Sequence, residues 1–174
     1  MSKKGKNITE AFQFMHTFFS EVAQLFIKLD DLMEKEGWIS ARGNTTTIDV
    51  SKDLLRPKKW LPEESFRLYE NKDIPNVRKG IIASYVHKNI EEPLLIIGAI
   101  TYNNIGEAED LDILKIWFCD KKQKNLNKAY FEFEYENEEL RNKIKKNVLC
   151  AMDLVDITSE EDINNKVFKK MMEL

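Results

Sequence analysis

Apolar residues between Ile8 and Met33 fall into three columns at seven-residue spacing. One column is Phe12, Phe19, Phe26, Met33. A second is Ile8, Met15, Val22, Leu29, and a third is Ala11, Phe18, Leu25, Leu32. On a helix these columns lie side by side as one wide stripe. Two columns would make a coiled-coil seam, whereas three indicate a helix pressed onto a sheet or into a bundle. Gln13, Thr17, Glu21, Gln24, Lys28, Asp31 and Lys35 form the watered side. Thr9 is placed to cap the start, with Glu10 in the favourable end of the dipole, and Gly37 is a natural stop. Phe14 lies off the stripe and His16 at its margin. This pattern predicts a helix over 9–35, preceded by a disordered tail over 1–7.

After this helix, Trp38 and Ile39 read as a return to the core, and Arg42-Gly43-Asn44 as the centre of a turn. Thr45 to Val50 is β-branched and suits a strand. Ser51 is placed to cap a single turn, which Pro57 ends. Residues 51–76 read as irregular. Pro62-Glu63-Glu64 favours a short helix, although Phe66 and Leu68 with their alternating neighbours also fit a strand.

From Gly80 to Tyr135 the period switches to two. Strands are predicted over 81–88, 94–102, 112–119 and 129–135. The second is apolar on both faces and therefore central, and the last alternates and lies nearer an edge. Their short connections favour an antiparallel meander. In it Lys115 falls opposite or diagonal to Glu132 or Glu134, with Trp117 beside them. Asn137 then opens a predicted helix through about Val155, and the capping box Thr158-Ser159-Glu160-Glu161 a last one with the stripe Ile163, Val167, Phe168, Met171, Met172. The predicted fold is α+β: one domain over 8–174. A four- or five-stranded, mostly antiparallel meander sheet is packed by the long N-terminal helix and a C-terminal helical segment, 137–174. Phe12, Phe19 and Phe26 are expected against Ile96, Ile100 and Phe131.

Composition narrows the class without naming a function. The chain of 174 residues is 43% hydrophobic and 33% charged, as expected of one ordinary globular domain. A net charge of −3 argues against a general nucleic-acid surface. The apolar runs are too short to span a membrane. Cys119 and Cys150 stand far apart, outside any CxxC pattern, and read as free thiols of a cytoplasmic protein.

Candidate chemistry is sparse. Glu107, Glu109, Asp110 and Asp112 form the densest acidic cluster, and paired carboxylates can carry a proton or a hard cation. His87 is a candidate acid or base. His16 and His87 are the sole histidines, so no zinc site is expected, and no metal or cofactor. Nucleophile-elbow and phosphate-loop motifs are absent. Lys121, Lys122, Lys124 and Lys128 make a basic loop. Trp117, Lys115, Tyr130 and Glu132 would form an aromatic and charged patch, and Trp60 and Phe14 are further candidate contacts. The first expectation is a non-enzymatic binding, regulatory or adaptor module acting through protein–protein or small-ligand contacts, including self-association as a homodimer. The alternatives are a carboxylate-dependent hydrolase built on 107–112 and a nucleic-acid-binding accessory protein.

Overall fold

A computed structural model describes residues 3–47, 50–86, 92–104, 131–132 and 138–174. Helix α1, Lys3–Lys35, is 33 residues long, or about 50 Å at 1.5 Å per residue. It starts six residues before Thr9 and takes in most of the expected tail. Thr9 is therefore no cap. Its hydroxyl donates to the Gly5 carbonyl one turn back at 3.2 Å, a bond that satisfies a mid-helix threonine. The end is where the sequence places it. Gly37 has φ +77°, a left-handed conformation that glycine adopts without cost, and its N–H donates to the Glu34 carbonyl at 3.0 Å.

Six strands are seen among the described residues: β1 Trp38–Ser40, β2 Glu64–Asn71, β3 Val77–Ser84, β4 Leu94–Tyr102, β5 Phe131–Glu132 and β6 Ile144–Asp153. They form one sheet in the order β1-β2-β3-β4-β6-β5, and every neighbouring pair is antiparallel. The α+β class, the antiparallel meander (β1 to β4), the long N-terminal helix and a C-terminal helix all stand. Leu94–Tyr102 has the predicted bounds and is buried at nearly every position. β5 lies at the sheet edge.

Three element predictions fail, each for a packing reason. The expected helix from Asn137 is a six-residue piece, α2 Glu138–Lys143, followed by strand β6. A helical face can be traced through Ile144, Val148, Ala151 and Val155, but residues 148–152 are an unbroken apolar run, which periodicity alone cannot assign. β4 settles it, because a strand buried on both faces needs a ladder partner on each side. Residues Ile144 to Asp153 supply one, in register from Leu94↔Asp153 to Tyr102↔Ile144. Both flanks of β4 are thus taken by β3 and β6, and the expected strand over 112–119 lies outside the described residues.

The second failure is 51–76. Only Pro57–Lys59 makes a single 3-10 turn, and Glu64–Asn71 is a strand rather than a helix. Its alternating Arg67, Tyr69 and Asn71 disguise it, since a buried strand face seldom carries such residues. Third, Thr45 to Thr47 and Val50 run without regular structure, although the Thr46 carbonyl accepts the Phe66 N–H at 2.9 Å. The first meander strand also begins at Val77 and ends at Ser84, earlier than predicted.

Val22, Leu25, Phe26, Leu29 and Met33 of α1 form the core with Tyr69, Ile81, Ala83, Leu95, Ile97 and Cys150 of the sheet. Each large apolar side chain so buried contributes about 1.5–3 kcal/mol. This is the odd-numbered face of β4, so α1 does not lie on Ile96 and Ile100, which are buried on the other face. Trp38 enters the same core, as its sequence context suggested.

Three consecutive pieces, Glu160–Asp162, the π-helical Ile163–Phe168 and Lys169–Glu173, follow one another as a single helical segment, α3. Ile163, Val167 and Met171 pack into that core, with Phe168 and Met172 at its margin. The capping box exists one residue late. Ser159 accepts the Asp162 N–H, while the Asp162 carboxylate accepts from the Thr158 N–H and from both hydroxyls. These bonds, and Lys166 at 2.7 Å, hold the Asp162 carboxyl well below the usual range.

Candidate functional site: an exposed helical arm and a closed polar seam

The stripe on α1 divides sharply. From Val22 onward it is buried. Before that it is not: Ile8, Phe12 and Phe14 are 52%, 63% and 66% exposed. Ala11 is exposed, and Met15, Phe18 and Phe19 are half-buried. Phe12 is the clear departure from the expected core. Residues 3–17 thus form a helical arm that carries a core-like pattern without a core. Phe18 and Phe19 mark its base. Both rings stand edge-on to Tyr85, at centroid distances of 5.1 and 5.5 Å. Phe14 stacks on Phe18 at 6.3 Å, so the aromatic row continues from the body onto the arm. Burial pushes the Tyr85 hydroxyl up to about 12.

The opposite side of the arm is polar and locally satisfied. Thr17 and Ser20 donate back to the carbonyls of Gln13 and His16, at 3.2 and 2.8 Å. Lys6 and Glu10 pair at 3.6 Å in the favourable i,i+4 spacing. His16 is exposed on this side.

A second feature lies under the buried half of the helix. Arg67 and Tyr69 point from β2 toward α1, where the Asp30 carboxylate accepts from the Arg67 Nε at 3.0 Å, from its Nη2, and from the Tyr69 hydroxyl at 2.8 Å. The Arg67 Nη1 donates to the Gly43 carbonyl. Gly43 is thus held in its left-handed turn, φ +54°. Tyr69 pairs across the ladder with Lys79. The Lys79 ammonium donates to the Met171 and Met172 carbonyls near the end of α3 and sits 5.0 Å from the Trp38 ring centroid. This is a helix-end cation combined with a cation–π contact.

Burial pushes the Tyr69 hydroxyl well above the phenol range, and the neighbouring Asp30 charge adds to this. Burial alone lowers the Lys79 amine. Such shifts often mark active sites. Here, however, the Arg67, Tyr69 and Lys79 head groups all have protein partners. The seam clamps α1, the β1 turn, β2, β3 and α3 together, and its chemistry is internal.

The sequence candidates fall in several places. Phe14 is on the arm. Trp60 is half exposed on the 50–61 segment, and its indole N–H donates to the Asp53 carbonyl at 2.9 Å. Leu54 and Leu55 beside it are the most exposed large apolar residues described. Near Trp60, Thr47, Val50, Lys59, Leu61 and Pro62 line a depression of 20 Å³, room for about one water. Glu132 is in β5, paired in register with Val148. His87, Glu107, Glu109, Asp110, Lys115, Trp117 and Tyr130 lie outside the described residues, as do Asp112, Cys119 and the basic loop 121–128. Cys150 is a buried free thiol, and burial raises it. Among the described residues no three His, Cys, Asp or Glu side chains group to hold a metal ion, and no helix is long and apolar enough to cross a membrane.

Sequence reasoning missed Asp30, Arg67, Tyr69 and Lys79 altogether. The available signal was alternation of Arg67, Tyr69 and Asn71 with the apolar Phe66 and Leu68, which suits a strand with one polar buried face. No family model, no curated protein and no solved structure matches this chain.

Proposed function

We propose that the chain is a non-enzymatic binding module that works through protein–protein contact, and that the apolar side of the α1 arm is its contact surface. One observation carries the reading. Ile8, Ala11, Phe12 and Met15 repeat the spacing of the buried half of the same helix, yet Ile8, Ala11 and Phe12 face solvent, as does Phe14 beside them, and Met15 is only half-buried. A rigid helix presenting Ile, Ala, Phe and Met at i, i+3, i+4 and i+7 is the ligand form of helix-in-groove recognition. Isolated helical segments of this length are marginal in water. The arm is continuous with a helix anchored by the core, so it is organised in advance and its ordering costs little on binding. Aromatic side chains at the centre of such a face are the residue type that dominates interface energies. The Trp60 segment offers exposed apolar residues too, but on irregular chain without a periodic face.

The test is a photoreactive phenylalanine analogue placed at Phe14, with the same group at Gln13 on the polar side as the control. Irradiation in cells is expected to yield discrete protein adducts from position 14 and none from position 13. Absence of adducts from position 14 would sink the reading.

A further inference from the structure

We infer that the occupant of the arm is a second copy of this chain, paired antiparallel about a twofold axis near Gln13. This rests on the reading of the arm as a protein-binding surface and specifies the partner.

The arm's own columns are complementary to a reversed copy of themselves. Ile8 and Met15 occupy one seam position of a heptad, and Ala11 and Phe18 the other. Antiparallel helices bring the first kind against the second. With the axis at residue 13, Ile8 meets Phe18 of the second copy, and Ala11 meets its Met15. Each layer sets a smaller residue against a larger one, which is how close-packed interfaces interdigitate.

The flanking positions supply an independent check. Phe12 and Phe14 sit on either side of that axis, so each falls next to its own counterpart. The two most exposed phenylalanines of the described residues are therefore the two that self-pair. Phe14, off the stripe and stacked on Phe18 within one copy, acquires a second aromatic partner by symmetry. A twofold contact demands this self-complementarity.

Charge agrees. From Asn7 to Phe19 the seam and flanking positions carry no charge, so two copies meet without like-charge repulsion. At the ends of the overlap Lys4 comes beside Glu21 of the second copy. Glu10, Gln13, His16 and Thr17 all point away. The area suffices as well. Covering Ile8, Ala11, Phe12, Phe14 and Met15 on both copies removes roughly 1,000 Å² from water, the lower bound for a specific interface. The pair should therefore form at micromolar rather than nanomolar concentration.

The experiment uses the full chain throughout. Light scattering over a dilution series should pass from 20.5 kDa to twice that mass. Phe12→Ser with Phe14→Ser should weaken pairing about 100-fold while leaving the circular dichroism of the body unchanged. Orientation is read by disulfide trapping against the parent chain, whose Cys119 and Cys150 set the background. A mixture of the Ala11→Cys and Met15→Cys chains should cross-link to each other. Ile8→Cys alone should not, since its two copies would stand about 15 Å apart along the axis. Trapping through Ile8→Cys alone overturns the antiparallel arrangement. A monomer at every concentration up to about 1 mM overturns self-pairing. If position 14 then still captures a different protein, the binding-module reading survives without it. If position 14 captures nothing, both fall.

Discussion

The two halves of α1 carry the same periodicity and meet opposite fates. From Val22 to Met33 the stripe is buried against Ile81, Leu95, Ile97 and α3, with Leu29 and Met33 fully inaccessible. From Ile8 to Met15 the same kind of stripe faces water. The N-terminal half is the more aromatic of the two, so the difference is not hydrophobicity. It lies in what packs beneath each half: the core side chains of the sheet and α3 meet Val22 to Met33, and Phe18 and Phe19 meet the Tyr85 ring at the base of the arm. A periodic apolar face therefore states that something must cover it and leaves open whether the cover comes from the same chain. In this molecule one helix poses that question twice and the body answers it once.

The largest expected effect breaks the buried half. Asp30→Ala leaves the Arg67 guanidinium, 6% exposed as a side chain, without its carboxylate, and should cost about 3–5 kcal/mol in chemical denaturation. A loss below about 1 kcal/mol would show that the seam is not a clamp. Leu29→Ala, at a fully buried position, should follow at about 2–5 kcal/mol. The matching truncation on the arm, Phe12→Ala, should change monomer stability by about 0.5 kcal/mol or less in dilute protein. Equal losses at the two positions would mean that the halves are not different after all.

The boundary between the halves can be probed by pH. Tyr85 and Tyr69 keep their protons longer in the folded chain than in the unfolded one, whose phenols titrate near 10. Their contribution is complete below pH 10 and is lost as pH rises through the folded values, about 12 for Tyr85. Lys79 acts with the opposite sign. Its lowered value means that the unfolded chain binds the extra proton below 10.5, so its contribution grows as pH rises into that window. Melting temperature should accordingly fall between pH 10 and 12, and Tyr85→Phe should make the fall shallower. An unchanged slope in that variant would remove Tyr85 from the account. Smallest in energy is a difference in amide exchange. In dilute protein the amides of residues 7–17 should exchange faster than those of 22–33, and concentration should protect the first group alone.

Much of this architecture is legible in the chain. α1, its glycine stop, the return at Trp38, strand β4 and the stripe of α3 all follow from local rules of period, cap and burial. The misses share a cause. Strand β2 hides because Arg67, Tyr69 and Asn71 are polar, and they are tolerable inside only because Asp30, Gly43 and Glu36 supply partners from 24 to 39 residues away in sequence. β6 hides because its apolar run satisfies helix and strand alike until the open flank of β4 is known. Of the candidate contacts, Phe14 was visible as an aromatic residue off the stripe, whereas nothing local separated Phe12 from Phe19 and Phe26.

The amino-acid order alone determined which segments need an apolar neighbour, where the long helix ends, and that one strand must be central, since these depend on side-chain spacing and on the backbone freedom of single residues. Only the folded arrangement decided which neighbour each segment found. It set β6 rather than a later meander strand beside β4, placed the odd rather than the even face of β4 under α1, and left the apolar side chains on the first four turns of that helix largely exposed. Burial is a property of two surfaces in contact, and a sequence specifies only one of them at a time.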